Sequence, residues 1–293
     1  MIETNKDRLI KMAVLGEIVS PTSGAYRATW SGEPKMGIGG GGIKYNLSIG
    51  DPCFGWASGD HVEPCVVLQG KEKPSPSDCA LPLLACIGNE AVVVTGEAKG
   101  AKGVYIGRHA GAHDMVWFPD EVLEKLSIGD KVLVRAYGVG LKIKGFEDVK
   151  VNKCDPRLLE SMGIEVVDGK LVVPVVMEIP PFLMGSGIGF SPITESVDYD
   201  IQTTCPEAVK EYDLEKLRLG DVVALRDQLC LHGRGYYKGA ITIGVIVHGA
   251  SDYAGHGPGV DPILSSKDGK IVPKIDLRAN IAYYLGLRKP PEE

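Results

Sequence analysis

Several signals that would place this chain in a common functional class are missing from its sequence. No run approaches about 18 consecutive apolar residues, so we expect no membrane-spanning helix. No long basic cluster is present, and a net charge of −6 argues against a nucleic-acid partner. Neither a Walker loop nor a dinucleotide-binding glycine motif between a strand and a helix occurs, so we expect no nucleotide cofactor.

A disulfide framework and a secretion signal are also missing. The seven cysteines are scattered without a C-x-x-C pair. The first residues include early acidic side chains and only a short apolar run, which is not typical of a signal peptide. We therefore expect a cytoplasmic protein whose cysteines are free thiols.

Aromatic residues are few, at 6%, whereas glycine is frequent, with 38 residues. Short valine- and isoleucine-rich runs bounded by glycine or proline, such as AVVVTG, KVLVRAYG, KLVVPVVMEI and AITIGVIVHG, predict strands. Helical periodicity is confined to four short segments, at 119–126, 156–162, 206–217 and 277–287. These patterns predict a β-rich α+β fold with two barrel- or sandwich-like halves, 1–152 and 153–293.

A sequence repeat supports the two-halves interpretation. LEKLSIGDKV at 123–132 and LEKLRLGDVV at 214–223 are identical at seven of ten positions, and LSIGD recurs at 47–51. The pattern predicts the end of a helix, a left-handed glycine and an aspartate at the start of a strand. It indicates either internal duplication or convergence on a common way of entering a barrel strand.

Chemistry-bearing residues are concentrated in two glycine-rich stretches. In RHAGAHD, the side chains of His109, His113 and Asp114 suit a divalent metal such as zinc or manganese. His109 and His113 are four residues apart, which would place them on one face of a helix, although Gly107 and Gly111 favour a loop. The alternative is that the two histidines only satisfy buried loop carbonyls.

The second stretch, 214–259, carries three of the six histidines beside glycine-rich turns. We expect Asp227 and His232 to act in catalysis, as base or additional ligands, with Arg234 stabilising negative charge. Further site candidates from this stretch are His248, Asp252 and His256.

Two carboxylates precede this stretch in ESVDYDIQTT. Asp198 and Asp200 point the same way if the segment is extended, and form either a metal site or a solvated strand face. By contrast, we interpret His61 as a surface-loop histidine. The glycine run at 39–42 is either a backbone anion nest or else a hairpin tip or mobile flap.

We also expect the two stretches to share one cleft. Mixtures of histidine, carboxylate and arginine are costly to bury without partners. Placed together, they would supply imidazole ligands, a base and a cation for substrate charge. The alternative is two unrelated loops.

Over its whole length the chain resembles a prokaryotic family classified only as a domain of unknown function, through RHAGAHD, DYDIQTT, LRDQLCLHG and HGASDYAGHGPG. Residues 185–245 are also similar in order to the acetamidase/formamidase family of β-rich amidases. The glycine-rich loop at 185–189, the Asp198–Asp200 strand and Gly220-Asp221 carry this second resemblance. The Gly-Asp-Gly-Glu loop of those amidases is replaced here by Arg226-Asp227-Gln228.

These observations favour a metal-dependent hydrolase of a small amide or related carbonyl compound, with water as the nucleophile. The alternative is a non-catalytic oligomeric protein that binds a small molecule in a pocket shaped by the same residues. In either case we expect a homo-oligomer with a small-molecule ligand, and no nucleic acid or membrane partner.

Overall fold

The chain forms a β-rich fold with short helices, as the sequence predicts. A computed structural model describes residues 2–22, 26–70, 76–109, 113–189 and 193–290, with the backbone alone at 76–79. The strands are β1 (Met12–Ile18), β2 (Arg27–Ala28), β3 (Pro34–Lys35), β4 (Val66–Gln69), β5 (Glu90–Val93), β6 (Lys102–His109), β7 (His113–Trp117), β8 (Lys131–Ala136), β9 (Lys150–Val151), β10 (Glu165–Val167), β11 (Lys170–Val175), β12 (Met177–Ile179), β13 (Tyr199–Asp200), β14 (Val222–Leu229), β15 (Gly235–His248), β16 (Gly259–Ser266) and β17 (Ile271–Ile275).

The helices are short, and proline begins three of them. They are α1 (Pro76–Leu84), α2 (Asp120–Leu123), α3 (Pro156–Ser161), α4 (Pro206–Glu211) and α5 (Ile281–Tyr284), with 3-10 turns at Lys6–Arg8, Pro181–Leu183, Thr194–Ser196 and Leu214–Lys216. Proline is favoured in the first helical turn because its missing N–H has no partner there. Among the described residues, no helix is long and apolar enough to cross a membrane.

The first half contains a closed barrel in the order β1-β4-β7-β6-β5-β8, with β8 pairing back to β1. The second half is built on a six-stranded sheet in which β12, β14, β15, β16 and β13 are neighbours and β9 pairs with β16. Because β9 comes from the first half and β16 from the second, the sheet joins the two halves. β6 of the barrel packs against β15 and β16, and one apolar core includes buried residues of both halves.

A separate three-stranded sheet, β10-β11-β17, contains a tight hairpin. β10 and β11 are antiparallel and are joined by Asp168 and Gly169, which have φ of 49° and 69°. A two-residue hairpin turn with positive φ at both positions matches the twist of the strands and selects Asp-Gly.

The repeated LxxGD segments form one kind of turn. In each copy the glycine has a positive φ, and the aspartate Oδ2 accepts a hydrogen bond from the backbone N–H three residues earlier. The bonds are Ser48 N to Asp51 (2.8 Å), Ser127 N to Asp130 (2.9 Å) and Arg218 N to Asp221 (2.7 Å). The copies before β8 and β14 both enter a strand, but β8 belongs to the barrel and β14 to the larger sheet. The turn is a local device shared by three sites, and duplication of the halves stays a hypothesis.

The six cysteines whose side chains are described are free thiols, and five of them are buried. Burial raises the pKa of Cys65 to about 11 and that of Cys230 to about 12, since it disfavours the thiolate. Cys230, which is close to His232 in the sequence, is therefore an unreactive core thiol.

Candidate metal centre

The histidines of RHAGAHD lie on a β-hairpin rather than on a helix. β6 ends at His109 and β7 begins at His113, and the two residues are directly opposite each other across the antiparallel pair. Residues directly opposite each other in a sheet point to the same face, so the two imidazoles lie side by side. The hairpin tip at 110–112 lies outside the described residues.

Asp114 does not join these histidines, so the expected set of His109, His113 and Asp114 requires correction. Successive side chains of a strand alternate between faces, which directs Asp114 to the side opposite His113. There, the carboxylate accepts hydrogen bonds from Arg108 Nη1 at 2.6 Å and from Tyr105 Oη at 2.7 Å.

Glu63 takes the place expected for Asp114. Its side chain is fully buried, and its oxygens accept from Nδ1 of His109 at 2.6 Å and Nδ1 of His113 at 2.8 Å. Burial raises the pKa of Glu63, but the hydrogen bonds from the two histidines lower it by more than burial raises it. The pKa is therefore well below its usual value.

The glycine run at 39–42 wraps around this carboxylate. The Gly41 N–H donates to Glu63 Oε2 at 2.7 Å, and the Glu63 N–H donates to the Gly39 carbonyl at 3.0 Å. Gly41 has a φ of 67°, and a Cβ there would lie 2.5 Å from the Ser20 carbonyl oxygen. The anion that contacts this loop is therefore the protein's own Glu63, held by one backbone N–H of the glycine run.

The second stretch contributes His248, the last residue of β15. Its Nδ1 lies 3.0 Å from the Gly249 carbonyl and donates to it, so that in the neutral ring Nε2 carries the lone pair. Nε2 lies 3.0 Å from Asp198 Oδ2 and 3.7 Å from Asp200 Oδ1. Burial lowers the pKa of His248, but the two carboxylates raise it more, to well above the usual value.

Besides His248, Asp200 faces two further imidazoles. Its Oδ2 lies 2.8 Å from His256 Nδ1 and 3.7 Å from His61 Nε2, and these two nitrogens are 3.1 Å apart. His61 Nδ1 is 3.1 Å from Asp60 Oδ2, which orients the ring. His61 has a φ of 46°, a conformation that is uncommon for residues other than glycine and that occurs often at functional sites.

These groups form one cluster that joins the two sequence stretches. The ring centroid of His109 lies 4.2 Å from that of His248 and 5.3 Å from that of His61, and His61 lies 5.0 Å from His256. Five of the six histidines are therefore in the cluster. The cluster contains three sets of possible metal ligands, and within each set the ligand atoms lie within 4.8 Å of one another. The sets are His61, Asp200 and His256; Asp198, Asp200 and His248; and Glu63, His109 and His113.

The two sets that share Asp200 fit a divalent cation. Ligands held about 2.0–2.1 Å from a tetrahedral ion are about 3.3 Å apart, and the edges of the first set are 2.8, 3.1 and 3.7 Å. Asp200 Oδ2 and His248 Nε2 are buried at contact distances from other polar atoms, yet neither makes a hydrogen bond of acceptable geometry. Buried polar atoms without a hydrogen bond are rare in folded proteins, and a bound ion on each side of Asp200 would satisfy them.

Gly259 keeps space free at this position. A Cβ on Gly259 would lie 2.1 Å from His248 Nε2 and 2.7 Å from Asp198 Oδ2. Only the absence of a side chain leaves these atoms accessible from that side.

The third set has the geometry of hydrogen bonds. All three of its N–O distances, 2.6 to 2.9 Å, match charge-assisted hydrogen bonds, whereas the first set also has edges of 3.1 and 3.7 Å. Burial and the nearby His248 lower the pKa of His109, against the opposing effect of Glu63. We therefore assign Glu63 as the acceptor that orients both imidazoles.

Four of the predicted site residues do not belong to the cluster. Asp227 lies in a β-bulge with a φ of 54° and accepts from the Gly239 N–H at 2.7 Å. His232 is exposed in the turn between β14 and β15. Asp252 is half exposed and pairs with Lys35. Arg234 is buried and donates to the carbonyl oxygens of Val197 and Ile193, so it fastens the segment that leads to Asp198.

Sequence reasoning missed Glu63 and misjudged His61. The two residues belong to SGDHVEP, whose glycine and proline indicate only turns. The one available signal is the spacing itself, a histidine and a glutamate two residues apart in a turn-rich segment, and it is weak without knowledge of the fold.

The fold and the site together define a β-rich protein with a buried cluster of histidines and carboxylates where two halves meet. Two family models match the chain, the N-terminal domain of DUF4438 over residues 26–160 and its C-terminal domain over 161–285. The chain therefore belongs to this family, which is described as a domain of unknown function, and the whole-chain resemblance is confirmed. The two models meet at residues 160 and 161.

A solved crystal structure, that of the protein TM1086, is similar to the chain over nearly all of its length. It shares 45% sequence identity with a TM-score of 0.91, over 97% of this chain and 99% of that one. No curated protein matches the chain. The partial resemblance to the acetamidase/formamidase family finds no support in these matches.

Proposed function

We propose that the protein is a metal-dependent hydrolase of a small amide or related carbonyl compound, with two divalent ions bridged by Asp200. One observation carries the proposal. The two oxygens of this buried carboxylate face different donor sets, Oδ2 towards His61 and His256 and Oδ1 towards His248. A carboxylate shared in this way is the arrangement that two-metal hydrolytic sites use.

The residues around the ions have separate roles. His61, His256, Asp198, Asp200 and His248 supply ligands of the kind that zinc and manganese accept. Divalent ions held by these residues would supply Lewis-acid chemistry and would make a nearby water more acidic.

His109 is the group placed to accept the proton from water. Its Nδ1 donates to the buried Glu63, which leaves Nε2 as the acceptor, and its ring lies 4.2 Å from that of His248. Its side chain is 22% exposed and that of His256 is 39% exposed, so the cluster is open to a small molecule on this side.

Metal analysis of untagged protein, combined with a panel of small amides, tests the proposal. We expect bound zinc or manganese, turnover that is lost with a chelator and restored by metal, and loss of both metal and turnover in Asp200→Asn and His248→Ala. His232→Ala is the matched control, because it removes the one histidine outside the cluster. Glu63→Gln should keep the metal and lower kcat by about 10²-fold or more.

Two outcomes contradict the proposal in different ways. Stoichiometric metal without turnover of any amide, ester or lactam would leave a metal-dependent binding protein. Protein that takes up no metal after dialysis against zinc or manganese would remove the metal centre itself.

A further inference from the structure

A second cavity lies apart from the metal centre. It has a volume of about 590 Å³, within the range of small-molecule sites, and no cluster residue lines it. Its walls come from the segment 44–51, from the end of β7 with the start of α2, and from Leu287 and Arg288. Trp117, Phe118 and Leu123 give it an apolar side.

Lys44 is the cation in this cavity that has donors to spare. Its side chain is partly buried, and its Nζ donates to the Gly41 carbonyl at 2.5 Å. An ammonium has three donors, and no second acceptor is recorded for it among the described residues. Burial lowers the pKa of Lys44 to about 8, against the opposing effect of Glu63. An anion bound beside Lys44 would offset this cost of burial.

The carboxylates of the cavity differ in their state of pairing. Asp51 is already paired with Arg288 at 2.6 Å. Asp120 and Glu121 are exposed and form no direct ion pair with another described residue, although the charge of Asp120 helps to raise the pKa of Arg288. Besides the Arg288–Asp51 pair, the cavity thus presents one partly buried cation, two exposed carboxylates and an apolar wall.

We propose that this cavity binds a small zwitterion with an apolar body, of the chemical class of an α-amino acid. The carboxylate of the ligand would contact Lys44, its ammonium would face Asp120 and Glu121, and its side chain would pack against Phe118 and Leu123. A purely anionic ligand would meet the outer carboxylates, and a purely cationic one would meet Lys44. The zwitterion is the ligand that satisfies both ends.

Calorimetry on the whole chain tests this by comparing L-phenylalanine with two analogues that each lack one of its charges. 3-Phenylpropionate lacks the ammonium, and phenethylamine lacks the carboxylate. We expect L-phenylalanine to bind about tenfold or more tightly than either analogue, since each lost charge removes a charge-assisted contact. Lys44→Met should reduce its affinity to that of phenethylamine. The double variant Asp120→Asn/Glu121→Gln should reduce it to that of 3-phenylpropionate.

Lys216→Met is the matched control, because Lys216 is an exposed lysine that pairs with Asp213 and does not line this cavity. It should bind L-phenylalanine as the unmodified protein does. Equal affinity for the three probes, no binding at millimolar concentrations, or unchanged affinity in Lys44→Met would overturn the proposal. If Lys44→Met does not fold, the double variant decides alone, because both of its substitutions are at exposed positions.

Discussion

The two faces of the β6–β7 hairpin both bury charge, but in different ways. On one face, Arg108 pairs with Asp114 at 2.6 Å, and Lys153 lies 3.5 Å from Asp261. Two cations therefore balance two carboxylates, and the Tyr105 hydroxyl links Asp114 to Lys153. This face is electrostatically complete without a ligand.

On the opposite face, carboxylates meet histidines. The ion pairs recorded for Glu63 and Asp200 are all with imidazoles, which carry charge only when protonated. Buried carboxylates without a fixed cation are costly, so this face requires protons or metal ions. One hairpin therefore has balanced ion pairs on the face inside the fold and unbalanced carboxylates on the face of the candidate metal centre.

The largest expected effect is on the unbalanced face. Asp200→Asn removes the shared ligand, so we expect it to abolish binding of both ions, as measured by elemental analysis after dialysis. Bound metal stabilises the native state by mass action, so chelation should lower the Tm of the unmodified protein by several degrees and leave that of the variant unchanged. A variant that keeps two ions would contradict the bridging role.

Breaking the balanced face should change stability and leave the metal in place. Asp114→Asn leaves Arg108 with an uncompensated buried charge, at a cost of about 3–5 kcal/mol in the free energy of unfolding. Denaturant titration measures this cost, and elemental analysis of the folded fraction should still find the metal. If the metal is lost while the fold survives, the two faces are not independent.

Filling the space beside His248 should weaken metal binding without removing a ligand. Gly259→Ala places a Cβ 2.1 Å from His248 Nε2, and we expect metal affinity to fall by about tenfold or more. Competition with a chromophoric chelator measures this affinity. Gly235→Ala, at the start of β15 where a Cβ meets nothing within 4 Å, is the control and should bind metal normally.

The last prediction concerns a buried carboxylate whose hydrogen-bond donors are neutral groups. Asp221 accepts from Asn280 Nδ2 and from the Arg218 N–H, and burial raises its pKa to about 6, against the opposing effect of these bonds. Because the folded pKa exceeds the unfolded value, its stabilising contribution is present below about pH 4 and is lost as pH rises through 6.

That contribution is on the order of 3 kcal/mol, at about 1.4 kcal/mol per pKa unit. Between pH 4 and 7, the stability of Asp221→Asn should therefore fall less steeply than that of the unmodified protein. Urea titrations at several pH values check this, and parallel curves would count against it.

Local features of this fold were predictable from the sequence, because their causes are local. The strand of KVLVRAYG, the helix that begins at Pro156 and the Asp168-Gly169 hairpin follow from side-chain pattern and backbone preference. The metal cluster depends on topology instead. His61 and His256 are 195 residues apart in the chain, and no periodicity reports their contact.

The β6–β7 hairpin also shows why composition alone predicted the wrong ligand. RHAGAHD correctly directed attention to His109 and His113, but it contains one carboxylate, and the alternation of β7 turns that carboxylate away. Glu63 takes the position because the glycine loop at 39–42 holds it there, a contact between segments that the sequence does not connect.

The central claim is that two ions lie on either side of Asp200. Anomalous diffraction from crystals of the metal-loaded protein, recorded at the absorption edge of the bound metal, tests it most directly. We expect two peaks, one about 2 Å from each Asp200 oxygen, the first beside His61 and His256 and the second beside His248. The absence of a peak near Asp200, or a single peak between His109 and His113, would contradict it.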